Sequence, residues 1–302
     1  MDKRDIFKKT NINNKTSNTL SLLIIFSMII WGGSWVSAKA ISSTLPPEML
    51  TFWRFFINLI SFIPVLFFFK EPIKIKKSAL SYIFLGSASF GLYLYLFFIG
   101  LRHGFAGAGG VLVTTMVPLI TFALSIPIFK LRISTKDCAG LILGVAGGSI
   151  LLKVWTLDRT KIFMGGNIYF LICAILWSLL TISSQKGGSL VSPLIFSFFV
   201  YTFCSIIYLF LALPQGILTI FKQGLSFWLN MLYLSVVSSS FATTVYFIAS
   251  SRLNSYKASS FVFLVPSSAV ILSWIFLGEK PKISTIIGGL VAIIAVYVLN
   301  MK

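Results

Sequence analysis

Two cations stand where a chain of this kind usually carries none. Lys39 and Arg54 lie within the stretch MIIWGGSWVSAKAISSTLPPEMLTFWRFF, from Met28 to Phe56. A charged head group among Trp, Phe and Ile is costly unless it faces protein or water, and there it can bind a carboxylate or phosphate. Arg54 sits well inside its apolar segment. It is expected to face the interior, either open to such a solute or paired with carbonyls or Glu48. Lys39 lies nearer a segment end, where its long chain can also snorkel to the surface. Other reactive groups are sparse. The acids are Asp2, Asp5, Glu48, Glu71, Asp137, Asp158 and Glu279, none of them in the middle of an apolar segment, and the single histidine, His103, lies at a junction. Intramembrane proton relays generally use buried Asp, Glu or His, so no obligatory proton coupling is expected. The members of a Ser-His-Asp triad, a zinc ligand set or a carboxylate pair are missing. The chain is therefore expected not to be an enzyme and to use no cofactor or metal. Cys138, Cys173 and Cys204 show no CxxC spacing and read as small core residues. No GxxxxGK[ST] element marks an ATP site.

The elements that position these residues follow from composition. The chain has 302 residues, of which 57% are hydrophobic and 11% charged. A soluble domain usually carries about 25% charged residues, so most of this surface must face lipid. The net charge of +18 is assigned to loops at a membrane surface, not to nucleic acid, because no nucleic-acid motif accompanies it. Segments long enough to span a bilayer are expected at 20–42, 48–69, 79–101, 106–129, 137–154, 165–185, 193–213, 226–250, 257–278 and 283–300. The fold class is thus an all-α polytopic membrane protein of ten transmembrane helices. Residues 1–19 read as a polar, basic cytoplasmic tail before a retained first helix. With the N terminus inside, about 16 Lys and Arg fall on the inner side and about 7 on the outer, so both termini are expected in the cytoplasm.

Several positions point to a solute path. Pro118 and Pro266 lie near the centres of the fourth and ninth segments. Each removes a backbone hydrogen bond, and the freed carbonyl needs protein or water beside it. Thr114 and Thr115 precede the first proline; Ser267 and Ser268 follow the second. Tyr93 in the third segment, Trp177 in the sixth, Ser239 and Thr243 in the eighth and Lys257 at the start of the ninth complete the candidates. Gly140, Gly144 and Gly148 share one face of the fifth helix, and Gly288 with Ala292 repeats this in the tenth. Small residues allow close helix approach, with a homodimer through these glycines as one possible use.

The sequence also repeats. A shift of 146 places Trp31 on Trp177, Ser37 on Ser183 and Pro47 on Pro193; a shift of 148 places Pro118 on Pro266 and Gly140 on Gly288. Residues 20–154 and 165–300 thus read as two five-helix repeats. Five is odd, so the second copy enters the membrane from the opposite side, the inverted-topology arrangement of secondary transporters. Under these shifts Lys39 meets Gln185 and Arg54 meets Val200, so the second copy lacks both charges.

The segments WGGSWVSAKA, FWRFF, AGGVLVTTMVPL and KASSFVFLVPSSAVILSWIFLGEKPKISTIIGGLVAIIAVYVL resemble the EamA-type branch of the drug/metabolite transporter superfamily over nearly the whole chain after residue 20. The first copy departs from that pattern, with Lys130-Leu131 where the second has Gly278-Glu279. The resemblance implies a ten-helix transporter of small organic molecules, with solute between the repeats around helices 1, 3, 4, 6, 8 and 9. The expectation is a bacterial inner-membrane secondary transporter of amino acids or derivatives, working by alternating access. The rivals are a drug or cation exporter, a lipid-carrier flippase and a non-transporting scaffold.

Overall fold

The computed structural model describes residues 14–73, 75–104, 106–131, 134–152, 155, 166–269 and 283–300. The expectations placed on residues 1–13, on the stretch between the two repeats and on the Gly278-Glu279 element lie outside the described residues. Every described element is helical. In chain order these are α1 (Asn14–Ile41), α2 (Pro47–Phe69), α3 (Lys77–His103), α4 (Ala106–Phe129), α5 (Thr135–Leu152), α6 (Asn167–Gly188) and α7 (Pro193–Ala212). Two short 3-10 turns follow, and then α8 from Leu225 to Leu253. The next helix, α9, starts as Ser255–Ser260, tightens to a 3-10 helix over Phe261–Leu264 and is helical again over 265–269; α10 is Ile283–Asn300. Among the described residues, seven helices are long and apolar enough to cross a bilayer.

Local chemistry sets these boundaries. Both α2 and α7 open with proline at the first turn, Pro47 and Pro193, where the missing N–H costs nothing. The Ser192 hydroxyl caps α7 by accepting the Leu194 N–H at 3.3 Å. At the other end of α2, Lys70 takes a left-handed φ of 50° and the Glu71 N–H reaches the Leu66 carbonyl at 3.2 Å. α4 ends the same way, with Lys130 at φ 52° and Leu131 N–H on the Ile126 carbonyl at 3.2 Å. Both are helix stops that glycine usually fills. The tightened turn in α9 lies just before Pro266, whose ring crowds the preceding turn.

The helices pair in a pattern that repeats between the halves. α3 packs on α6 and α8 on α1; α4 packs on α6 and α9 on α1; α2 meets α7 and α5 meets α10. Exchanging each helix for the one five positions later leaves this set of pairs unchanged. α8 breaks the symmetry internally, since its stretch Tyr233–Thr243 is a π-helix, whereas α3 is α-helical throughout.

The glycines of α5 are occupied within the chain. A Cβ on Gly147 would lie 2.8 Å from the Ala292 nitrogen and 2.9 Å from the Gly288 oxygen of α10. Gly140 faces Leu299 of α10, Gly144 faces Phe263 of α9, and Gly148 faces Thr115 of α4. A homodimer through these glycines would have to displace the contacts that hold the monomer together.

Candidate functional site

Helices α1, α2, α3, α4, α6, α8 and α9 enclose a cavity of about 40 Å³. Its walls are aromatic: Trp31 and Trp35 from α1, Phe90, Tyr93 and Phe97 from α3, and Trp177 from α6. The rings interlock. Trp31 and Trp177 meet edge to face with centroids 4.9 Å apart, Tyr93 lies 4.8 Å from Trp177, and Trp35 lies 4.9 Å from Phe97. Such contacts hold the walls in register. The remaining lining is small or hydroxylic, from Ser34, Val113, Thr114, Val117, Ser238, Thr243, Val262 and Val265. This volume admits water, and an organic metabolite would need the walls to move apart.

Among the described residues, Arg54 is the only ionisable cation on this lining. It is 6% exposed. Its Nε donates to the Ser239 hydroxyl at 3.2 Å, and its guanidinium carbon lies 6.0 Å from the centre of the Phe97 ring. The buried Nη1 has no hydrogen-bond partner among the described residues. Glu48, a candidate counter-charge, instead accepts from the Tyr95 hydroxyl at 3.2 Å. The guanidinium therefore keeps an unused donor, and among the described residues no acidic side chain stands on the lining. Leaving a buried charged donor unmet is expensive, and an anionic group entering the cavity would relieve that cost.

The π-helical stretch of α8 supports this arrangement. A π turn places its carbonyls out of ordinary helical register, and side chains meet them here. Ser238 O accepts from the Trp31 indole at 3.3 Å and from the Thr243 hydroxyl at 3.1 Å; Ser239 O accepts from the Tyr201 hydroxyl at 3.3 Å. Tyr201 also contacts the Thr244 hydroxyl at 2.9 Å. Next along, Ser240 donates to the Asn58 side-chain carbonyl and lies 2.5 Å from the Ser61 hydroxyl. The backbone carbonyls of Ser238 and Ser239 and the Ser240 hydroxyl thus tie down the segment that orients Arg54.

The other candidates fall into distinct places. Tyr93, Thr114, Trp177 and Thr243 line the cavity with Arg54, and Ser239 joins them through its hydrogen bond. Pro118 and Pro266 are buried one residue beyond the lining positions Val117 and Val265. Thr115 faces Gly148 of α5, and Ser267 lies against Gly289 of α10. Lys257 is half-buried at the start of α9, away from this lining. Lys39 is exposed near the end of α1 and is not on this lining. Its ammonium donates to the carbonyls of Leu101 and Gly104, the latter at 2.9 Å, and so clamps the turn between α3 and α4.

Sequence reasoning missed Ser34, Trp35, Phe90 and Phe97 as lining. The pairing of Trp31 with Trp177 under the repeat shift is the signal that could have found the aromatic wall. Among the described residues, no cluster of His, Cys, Asp and Glu is placed to hold a metal ion.

Known proteins resemble the chain over nearly its full length. The model of the EamA-like transporter family matches residues 19–153 and again 164–301. An uncharacterized transporter of Archaeoglobus fulgidus is 26% identical over 96% of this chain and 99% of its own length. A probable amino-acid metabolite efflux pump of Salmonella typhimurium is 25% identical over 92% of this chain and 93% of its own. A solved crystal structure shares the fold, with a TM-score of 0.72 at 18% identity, covering 93% of this chain and 97% of that one.

Proposed function

The chain belongs to the EamA-like transporter family, and on that premise we propose that it is a secondary transporter of small organic metabolites that carry a carboxylate. Amino acids or their derivatives are the favoured class. The observation that carries this reading is the Arg54 guanidinium, buried on the cavity wall with an unpartnered donor and no acidic neighbour on the lining. Coulomb attraction between unit charges at 4 Å is about 4 kcal/mol at an effective dielectric of 20, before desolvation. A fraction of that suffices to favour a carboxylate over a neutral analogue. Hydroxyls of Ser34, Thr114 and Thr243 would receive an ammonium where the solute has one. The efflux pump among the relatives supports the amino-acid class. A cation exporter fits the same cavity poorly, because Arg54 would repel its cargo.

The proposal extends to the membrane arrangement. Ten spanning helices in two inverted repeats would cross the inner membrane of a bacterium with both termini in the cytoplasm, and alternating access would open the cavity to one side at a time. Reporter fusions near Lys222 and at Lys302 should then give opposite sidedness. No Asp, Glu or His lines the cavity among the described residues, so exchange without obligatory proton coupling is expected. The test is counterflow in proteoliposomes with a labelled amino acid and its carboxamide, with and without a pH gradient. Arg54→Gln should lower carboxylate transport by about tenfold, the scale of one charge-assisted hydrogen bond, and leave the amide nearly unchanged. Equal losses for both would make Arg54 structural. Accumulation driven by the pH gradient would refute uncoupled exchange.

A further inference from the structure

A second cavity, of about 580 Å³, opens between the ends of α1, α2, α7 and α8. This lies within the size of ordinary ligand pockets, ~300–1,000 Å³. Its walls are mainly apolar, with Leu23, Phe69, Phe241 and Val245 among them, and Ser61 and Ser240 lie at its inner end. Lining runs from Ser61 to Phe69 on α2, about 12 Å at the helical rise of 1.5 Å per residue, and further, from Val236 to Arg252, on α8. One leaflet contributes about half of a ~30 Å hydrocarbon core, so the cavity reaches through most of one leaflet.

Its rim carries two opposite charges, Glu71 and Arg252. They form no ion pair with each other, and neither side chain has a hydrogen-bond partner among the described residues. The matching arginine in the first half behaves differently. Arg102 and Arg252 are each the penultimate residue of their helices, α3 and α8. Arg102 is consumed by the carbonyls of Ser42, at 2.6 Å, and Leu45. Arg252 has no such loop contact and stands at the cavity mouth.

We propose that this cavity binds phosphatidylethanolamine from the leaflet at the Glu71 and Arg252 end, with one acyl chain between the helices. The phosphate sits on Arg252 and the ammonium on Glu71. An anionic headgroup would satisfy Arg252 but meet repulsion from Glu71. A choline headgroup would offer Glu71 no N–H donor. Between the inner serines, Ser61 and Ser240, and the charged rim, residues such as Leu23, Phe62, Val65, Phe241, Val245 and Ile248 give the chain a mainly apolar slot. The site is separate from the aromatic cavity, and Ser240 with Asn58 and Ser61 lies between this slot and the Arg54 segment.

The test is native mass spectrometry of the delipidated full-length protein, titrated with phosphatidylethanolamine, phosphatidylglycerol and phosphatidylcholine of identical chains. One phosphatidylethanolamine should bind about fivefold more tightly than either other lipid, the scale of a partly exposed charge contact. Glu71→Gln and Arg252→Gln, both at the protein surface, should each remove most of that preference at an unchanged melting temperature. Val245→Trp should fill the slot and weaken all three lipids. Equal binding of the three lipids by the wild-type protein, or an unchanged preference in both rim variants, would overturn the proposal. So would displacement of the lipid by free amino acids, transported or not, which would make the slot a solute site. None of these readings depends on transport, so failure of the counterflow test leaves this one standing.

Discussion

The two halves of the molecule carry the same helix pairings but solve the same local problems with different residues. Lys39 in α1 corresponds to Gln185 in α6. Lys39 donates to two carbonyls in the turn between α3 and α4. Gln185 ties the turn between α8 and α9, accepting the Ser255 N–H at 2.8 Å and donating to the Asn254 side chain at 3.2 Å. Lys39 meets two acceptors in the first turn, which suits a residue with donors alone; Gln185 meets a donor and an acceptor in the second, which suits an amide. At this position the two residues make comparable turn contacts despite the difference in charge. Arg54 and Val200 differ in another way. Val200 is fully buried against α3, within van der Waals reach of Gly86, whereas Arg54 lines the cavity with a donor unused. One asymmetry is two solutions to a shared task; the other belongs to one half alone.

The strongest way to break this comparison is Val200→Arg. The site offers no cavity, so an unpaired buried charge should cost on the order of 3–5 kcal/mol. Folded yield by size exclusion should collapse. A stable, monodisperse variant would mean that the second half tolerates the charge as readily as the first, and the argument from Arg54 would weaken. Next is the seam between α1 and α9. A Cβ on Gly32 would lie 2.4 Å from the Ser268 hydroxyl and 2.8 Å from the Ala269 nitrogen. The equivalent residue in α6 is Ser178, which has room to donate to the Val117 carbonyl at 3.2 Å. Gly32→Ser should destabilise by about 1–3 kcal/mol through overpacking, and Ser178→Gly by about 1 kcal/mol. Thermal melts in detergent that rank these two variants the other way would show that the halves pack alike here.

A smaller effect separates the two cations. Lys39→Gln keeps one donor for the carbonyls of Leu101 and Gly104 and should lower stability by about 1 kcal/mol. The ratio of carboxylate to amide transport should stay at its wild-type value. A shift in that ratio without a change in melting temperature would return Lys39 to the solute path. The smallest expected effect concerns helix stops. Lys70 and Lys130 hold left-handed conformations, and the corresponding residues of the second half are Gly216, at φ 75°, and Gly278. Lys70→Gly should relieve a cost of about 1 kcal/mol, less part of it returned as chain entropy of the unfolded state. A raised melting temperature supports this reading, and a lowered one would assign the lysine side chain a stabilising contact.

The order of the helices, their approximate ends and the interior position of Arg54 were legible in the sequence, because long apolar runs and a deep charge leave few alternatives. Which face of each helix points inward was not. Lipid and protein interior are about equally apolar, so Trp35, Phe90 and Phe97 on the cavity wall look no different in sequence from the lipid-exposed Phe67 and Phe68. The role of Lys39 was hidden for a different reason: its partners are backbone carbonyls more than 60 residues away, and a carbonyl leaves no trace in residue type. The tight turn at Pro266 was foreshadowed by the proline itself. The π stretch of α8 was not, since its serines and threonines suit an α-helix in a membrane just as well.

That π stretch has a consequence for how the two halves keep step. α8 runs for 29 residues where α3 runs for 27. A turn closed by i→i+5 bonds stores more chain in a given length of axis than an α turn does. The surplus is therefore coiled into girth, and the two helices need not differ in reach. Removing a single residue between Tyr233 and Thr243 would draw on that surplus, because a π turn that loses one residue can close as an α turn. The helix on either side of the cut would keep its phase, and both ends of α8 would stay close to their depths. What would change is local: the carbonyls of Ser238 and Ser239, which now accept from Trp31 and Tyr201, would return to the helix's own N–H groups. Single-residue deletions in this stretch would thus loosen one wall of the cavity at nearly constant span.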